Sequence, residues 1–223
     1  MSFFITLVEM TDASRRDLET IPKIHAMINH GLTLAEYRAF LHDLYHIVWH
    51  FCPIMAAAAA RMDDRFRGVR YELYERIEEE KGHEGWVMED IEAMGGDLAG
   101  AGTRAPSVPV QAMIAYNYFA AERVHPCSVL GMLYMLEVVS SVYGGRVSDS
   151  IARALARDVD GGGFKFLSSH ATMDVEHMAK LNILVKTIDD PAAQASIVNS
   201  TRVNFYQFSG MFGEGGFMSA VGS

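Results

Sequence analysis

The sequence predicts an all-α protein. Apolar residues recur at spacings of three and four nearly throughout, and period-two alternation of Val, Ile and Thr is scarce. Clear helix-start signals stand at Thr33 and at Asp190-Pro191. The 223 residues, set against roughly 150 per domain, favour a single domain over 1–223 with a short N-terminal lead and a Gly-rich tail from about residue 209.

The first helix is expected from about residue 14 to His30, stopped by Gly31, which suits the residue after a helix end. Thr33 with Glu36 three residues on forms a capping box, so a second helix should run from there to about Met62, kinked by Pro53. A third is expected from Phe66 to Met94, ending at Gly95-Gly96, before a loop rich in Gly, Pro and small residues. The fourth, from about Pro109 to Val142, carries Pro126 and should bend near His125. A shorter helix follows Gly144-Gly145. Asp160 and three glycines read as a mobile joint before a long helix from Phe164 to about Ile188. Asp190 as N-cap and Pro191 at the first helical position start the last helix.

With 28 acidic and 19 basic residues, the net charge of −9 leaves no basic surface for a phosphate backbone, so nucleic acid is not an expected partner. Two cysteines, Cys52 and Cys127, make no disulfide framework and fit a reducing cytoplasm. No leader-like segment and no apolar run of spanning length is evident, so no membrane role is expected.

The chemistry lies in ionisable side chains on apolar faces. On the helix after the glycines, Lys165, Ser169, Thr172, Glu176 and Lys180 fall within roughly 80° of one another as a solvated face. His170, Asp174 and His177 lie opposite, in the seam that Leu167 and Leu181 mark as buried. On the third helix Glu80 falls in the seam of Val69, Leu73, Ile77, Val87 and Ile91, and His83 follows three residues on. That spacing lets a carboxylate and an imidazole reach one ion. Glu137 follows nine residues of which eight are apolar or Gly, an anomalous place for a charge without a counter-ion. Buried charges need a common partner, and three carboxylates with three imidazoles suit iron or manganese better than zinc. The alternative is a satisfied polar network with no metal. Ferritin-like di-iron bundles use two lone glutamates with two E-x-x-H pairs; here the lone positions are Glu137 and His170, which departs from that pattern.

Two further acid-x-x-His pairs occur. Glu122/His125 abuts Pro126 and reads as a kink, whereas Asp43/His46 belongs to a histidine row, His42, His46 and His50, open to pocket-lining or ligand roles.

The runs YRAFLHDLYHIVWHFCPIMAAAAARM, EEEKGHEGWVMEDIEAMGGD, HPCSVLGMLYMLEVVSSVYGG and HATMDVEHMAKL resemble the heme-oxygenase-like di-iron oxidases and oxygenases, relatives of TenA/THI-4 and pyrroloquinoline-quinone-biosynthesis proteins. The resemblance covers roughly residues 30 to 188. It implies a heme-oxygenase-like multi-helix bundle of seven helices, a pair of irons, and oxidation of a small organic substrate, a fatty acid, amino acid or amine, by dioxygen. Glu80, His83 and His170 would hold one iron, Asp174 and His177 the other, and Glu137 would bridge as the catalytic carboxylate. Substrate is expected near His42, His46, His50 and Tyr134.

Two competing readings remain. A haem-degrading enzyme would use His25 as axial ligand, and a metal-free TenA-like binding protein would use the six residues as a hydrogen-bonded network. Cys127 stands in a Pro-Cys context like that of the TenA nucleophile, and equally fits a small buried apolar residue. The glycine-rich tail leaves a homodimer open.

Overall fold

The computed structural model describes residues 2–217, the side chain of Val175 apart; these are helical or in turns, with no strand among them. Residues 218–223, the end of the glycine-rich tail, lie outside the described residues.

The N-terminal lead is itself a helix. α1 spans Phe3–Glu19 and α2 spans Pro22–His30, so the single first helix expected from residue 14 is corrected to two. The break follows from Pro22, which lacks an N–H and sits at the first position of α2. α3, Leu34–Arg61, starts at the capping box as expected: Glu36 N–H donates to Thr33 Oγ1, and Thr33 N–H donates to Glu36 Oε2. Pro53 lies inside it.

The expected third helix is divided. α4 covers Arg67–Glu80 and α5 covers His83–Ala93, with Gly82 between them at φ +88. A side chain is disfavoured in that left-handed conformation, so glycine makes the corner possible. A short α6, Leu98–Ala101, precedes α7, Val108–Phe119. After a turn of π-helix at Ala120–Val124, His125 is extended and Pro126 restarts the chain, the bend expected there. α8, Val129–Val139, continues through a second π turn at Ser140–Gly144 into α9, Gly145–Ala154, without a stop at the glycines. α10 is Lys165–Val185 and α11 is Pro191–Gly210, with Asp190 accepting from Ala193 N–H at its start. These breaks raise the element count above the seven implied by resemblance.

The stretch Pro126–Ala154 is long and apolar enough to cross a membrane by length and composition, contrary to expectation, but 72% of its most apolar window is buried inside the protein. Its apolarity serves the core. α8 packs on α11 and α10, while α3 packs on α4, α5 and α7. Gly131 is required for the α8–α11 contact, since a Cβ there would stand 2.5 Å from the Ile197 carbonyl. The functional seam lies where α4, α5, α8 and α10 meet.

Two anchors set α10. Asp90 of α5 accepts from the Lys165 and Phe166 N–H groups at 2.8 and 2.9 Å, and Tyr37 OH donates to the Gly163 carbonyl at 2.7 Å. These contacts hold the C-terminal side of the Gly161–Gly163 joint against α3 and α5. The tail also folds back: Met211, Phe212 and Phe217 are buried, and Phe217 packs against Phe40 with ring centroids 5.6 Å apart.

Candidate metal centre

The six expected ligands fall in one buried cluster, in which Glu80, His83 and His170 bring donor atoms together. Glu80, His83, Glu137, His170, Asp174 and His177 are each between 3% and 6% exposed, a concentration of buried charge that demands compensation. Glu80 ends α4 and His83 begins α5, so the pair is presented across the Gly82 corner and not from one continuous helix. Glu137 comes from α8, and His170, Asp174 and His177 from successive turns of α10.

Glu80 holds the middle. Its Oε2 lies 2.9 Å from His83 Nδ1 and 3.4 Å from His170 Nε2. Its Oε1 faces the other half, 3.6 Å from His177 Nδ1, which is itself 3.1 Å from Asp174 Oδ1. The central position that resemblance implies for Glu137 is occupied here by Glu80. One donor atom from each of Glu80, His83 and His170 lies within 4.8 Å of the others. Such a grouping is compact enough for three donors to share a single ion with bonds of about 2 Å.

Aromatic rings hold the imidazoles. Trp86 stacks on His83 with centroids 3.9 Å apart, and Phe166 stacks on His170 at 4.0 Å. His170 Nδ1 is 3.1 Å from the Phe166 carbonyl, which leaves Nε2 directed at Glu80. An outer hydrogen bond of this kind fixes the orientation of a ligating histidine.

Two residues that the sequence reading missed complete the cluster. Arg76, one turn before Glu80 on α4 and only 3% exposed, donates from Nη1 to Glu137 Oε1 at 2.7 Å. The same nitrogen lies 4.0 Å from Glu80 Oε1. Glu79 lies 3.5 Å from His177 Nε2 and accepts from Lys180 Nζ at 2.8 Å, tying α4 to α10 over the site. The spacing of Arg76, three residues after Leu73 and four before Glu80, puts it on the buried seam, but the charged residues around it mask that signal.

The charges are strongly perturbed. Burial pushes the Glu80 carboxyl up, but hydrogen bonds from His170 and His83 more than offset it and hold it down at about 2. Burial, opposed by Arg76 and reinforced by Asp174 and Glu80, raises Glu137 to about 8. Burial lowers His170, yet its hydrogen bond to Glu80 leaves it raised overall. Glu137 Oε2 is buried without a hydrogen-bond partner among the described residues. The two imidazoles and the Glu80 carboxylate that meet there, with an orphaned Glu137 oxygen in the same buried cluster, make a donor set that fits a hard or borderline cation such as ferrous iron.

The cluster forms one end of a cavity of about 130 Å³. Arg76, Glu80, Glu137, His170 and Asp174 line that end, and the remaining walls are apolar apart from Ser140 and Tyr143: Ile24, Met27 and Ile28 of α2, Leu44, Ile47, Val48 and Phe51 of α3, and Phe208, Met211 and Phe212 at the C-terminal end among them.

His42, His46 and His50 do not line this cavity. His46 lies about 160° around α3 from Leu44 and Val48, which do. His42 and His46 Nε2 instead lie 3.2 and 2.9 Å from the Arg104 carbonyl, and His50 Nδ1 lies 3.0 Å from Tyr118 OH. Asp43 accepts from Ser107 N–H at 2.8 Å, so the Asp43/His46 pair fastens α3 to the loop before α7. Tyr134 faces α1, edge-on to Phe4, and is likewise outside the cavity lining. The expectation that these four residues surround the substrate is corrected on that geometry. Glu122 is exposed, and His125 Nδ1 accepts from Cys127 N–H, consistent with a kink.

A sequence profile of iron-containing redox enzymes matches residues 38–204, a stretch that contains the whole cluster. The chain belongs to the iron-containing redox enzyme family. No curated protein matches the sequence. Solved structures place the fold of this family member. A domain of unknown function with a heme oxygenase-like fold from Shewanella denitrificans superposes with TM-score 0.81 at 20% identity, over 99% of this chain and 92% of that one. A TenA homologue from Pseudomonas syringae gives TM-score 0.78 at 15% identity, over 93% of this chain and 89% of that one. Heme oxygenase-1 from a Synechocystis cyanobacterium, in complex with heme, gives 0.77 at 17% identity, over 100% and 96%. The fold is heme oxygenase-like and TenA-like, as the sequence led us to expect.

Proposed function

We propose that this iron-containing redox enzyme is a non-haem iron oxidase or oxygenase that uses dioxygen on a small organic substrate with an apolar body, of the fatty-acid or amine class. The observation that carries the proposal is the meeting of Glu80, His83 and His170 at the charged end of an otherwise apolar cavity. Glu80, His83 and His170 would hold one iron. The expected second iron would have to draw its donors from Asp174, His177 and Glu137, and Glu80 Oε1 is turned toward His177. Bound iron would supply the activation of dioxygen.

The protein's own part is arrangement. Trp86 and Phe166 fix the ring planes of His83 and His170 before any ion arrives, which lowers the ordering needed on binding. The apolar walls from α2, α3 and the folded-back tail exclude water from the reacting end and hold a substrate by its hydrocarbon part. Both cysteines are free thiols, which supports a cytoplasmic setting.

The haem reading finds no support in His25. That residue is exposed and lines a neighbouring surface pocket with Glu19, Asn29 and Arg146, not the main cavity, whereas Ile24 and Ile28 of the same helix line both.

Oxygen uptake by the anaerobically ferrous-loaded protein tests the proposal. Medium-chain carboxylic acids and amines should accelerate consumption and yield oxidised products, and His170→Ala should abolish both. Uptake unaffected by any apolar substrate, or undiminished in His170→Ala, would overturn it.

A further inference from the structure

We propose that the guanidinium of Arg76 is a built-in occupant of the second cation position, so that the native chain stably binds one divalent ion and not two. The inference rests on the non-haem iron reading above and concerns how the two halves of that site differ. In the first half, among the described residues, no Lys or Arg is in ion-pair contact with Glu80 Oε2, which meets only His83 and His170. The other half, formed by Glu80 Oε1, Asp174, His177 and Glu137, contains a guanidinium: Arg76 Nη1 lies 2.7 Å from Glu137 Oε1 and 4.0 Å from Glu80 Oε1, and Nε lies 3.9 Å from Glu79 Oε2.

A second metal ion would need those carboxylate oxygens as ligands. A guanidinium already donates to one of them and cannot be deprotonated to make way. The two positive charges would repel at close range in a buried site where solvent screens them little. Arg76 is only 3% exposed and on the last turns of α4, so its departure from the carboxylates would break its hydrogen bond to Glu137 in a buried setting. The carboxylates are thus already partly neutralised, and it is the first half, where Glu80 and two imidazoles stand without a resident cation, that awaits an ion.

The test is metal content. The full-length protein and the variants Arg76→Leu, Arg76→Gln and Arg76→Lys are loaded anaerobically with ferrous ion, and separately with manganous ion, freed of excess metal, and assayed by elemental analysis and titration calorimetry. The native chain and Arg76→Lys should bind about one ion, and Arg76→Leu and Arg76→Gln about two, because only the latter pair removes the positive charge. Circular dichroism checks that each variant is folded, and Arg76→Gln serves should the leucine variant fail. Two tightly held ions in the native chain would overturn the inference by themselves, and so would a single ion in both charge-removing variants. Those results leave the iron reading intact, whereas no ion in the folded native chain contradicts both.

Discussion

Replacing Glu137 by leucine should destabilise the metal-free protein far more than replacing Arg76 by leucine, although the two residues form one ion pair. Removing Glu137 strands a guanidinium that is 3% exposed and cannot lose its charge; removing one member of a buried pair costs roughly 3–5 kcal/mol. Glu79 and Glu80 remain 3.9 and 4.0 Å from Arg76, so the lower end, about 3 kcal/mol, is expected. Removing Arg76 strands a carboxyl instead, and burial already raises Glu137 to about 8, so near neutral pH it can shed its charge by taking a proton. A loss of about 1 kcal/mol, one neutral hydrogen bond, is expected there. The double variant should lie near the wild type, because apolar replacement of both partners removes charge and partner together. Urea unfolding of the four proteins near neutral pH, extrapolated to water, gives the cycle. Equal penalties for the two single variants, or a double variant as unstable as their sum, would refute the reasoning.

Gly82→Ala should cost about 1–2 kcal/mol and weaken metal binding, because only glycine is at ease at φ +88 and the corner sets His83 against Glu80; thermal unfolding and metal titration check both. Glu122→Ala should change neither metal content nor stability beyond about 0.5 kcal/mol, since Glu122 is an exposed residue of the π turn remote from the cluster. Burial pushes the Cys127 thiol up to about 12, so at a pH of about 8 roughly one in ten thousand molecules holds a thiolate, and alkylation should be negligible until the protein unfolds; rapid native modification would revive a nucleophilic role. Glu80, held down at about 2, stabilises the metal-free fold above its ordinary range near 4.5, and that contribution is lost as pH falls from there through 2. Acid unfolding of Glu80→Gln should lack this component.

Local rules made most of the fold legible in the sequence. Thr33 with Glu36 and Asp190 with Pro191 marked helix starts correctly, because capping depends on side chains within one turn. The six ionisable residues were recognisable from helical periodicity, since charge on an apolar face is visible without knowing what lies opposite. The break at Gly82 was not legible, as one glycine between Lys81 and His83 leaves the apolar seam in register on both sides. Arg76 was hidden by its company: in RYELYERIEEE it reads as one more charge on a solvated helix, and only the approach of Glu137 from α8 gives it a buried partner. The histidine row on α3 misled because imidazoles at i, i+4 and i+8 define a face but not what that face meets. It meets Arg104 and Tyr118, on the side of α3 away from the cavity.

Iron bound per chain after anaerobic ferrous loading, measured on the native protein and on Glu80→Ala and His170→Ala, tests the metal centre most directly. Glu80 and His170 supply two of the three converging donors, so tightly held iron is expected in the native chain and little in either folded variant. A folded native chain without iron, or variants that retain it in full, would contradict the assignment of the cluster as a metal site.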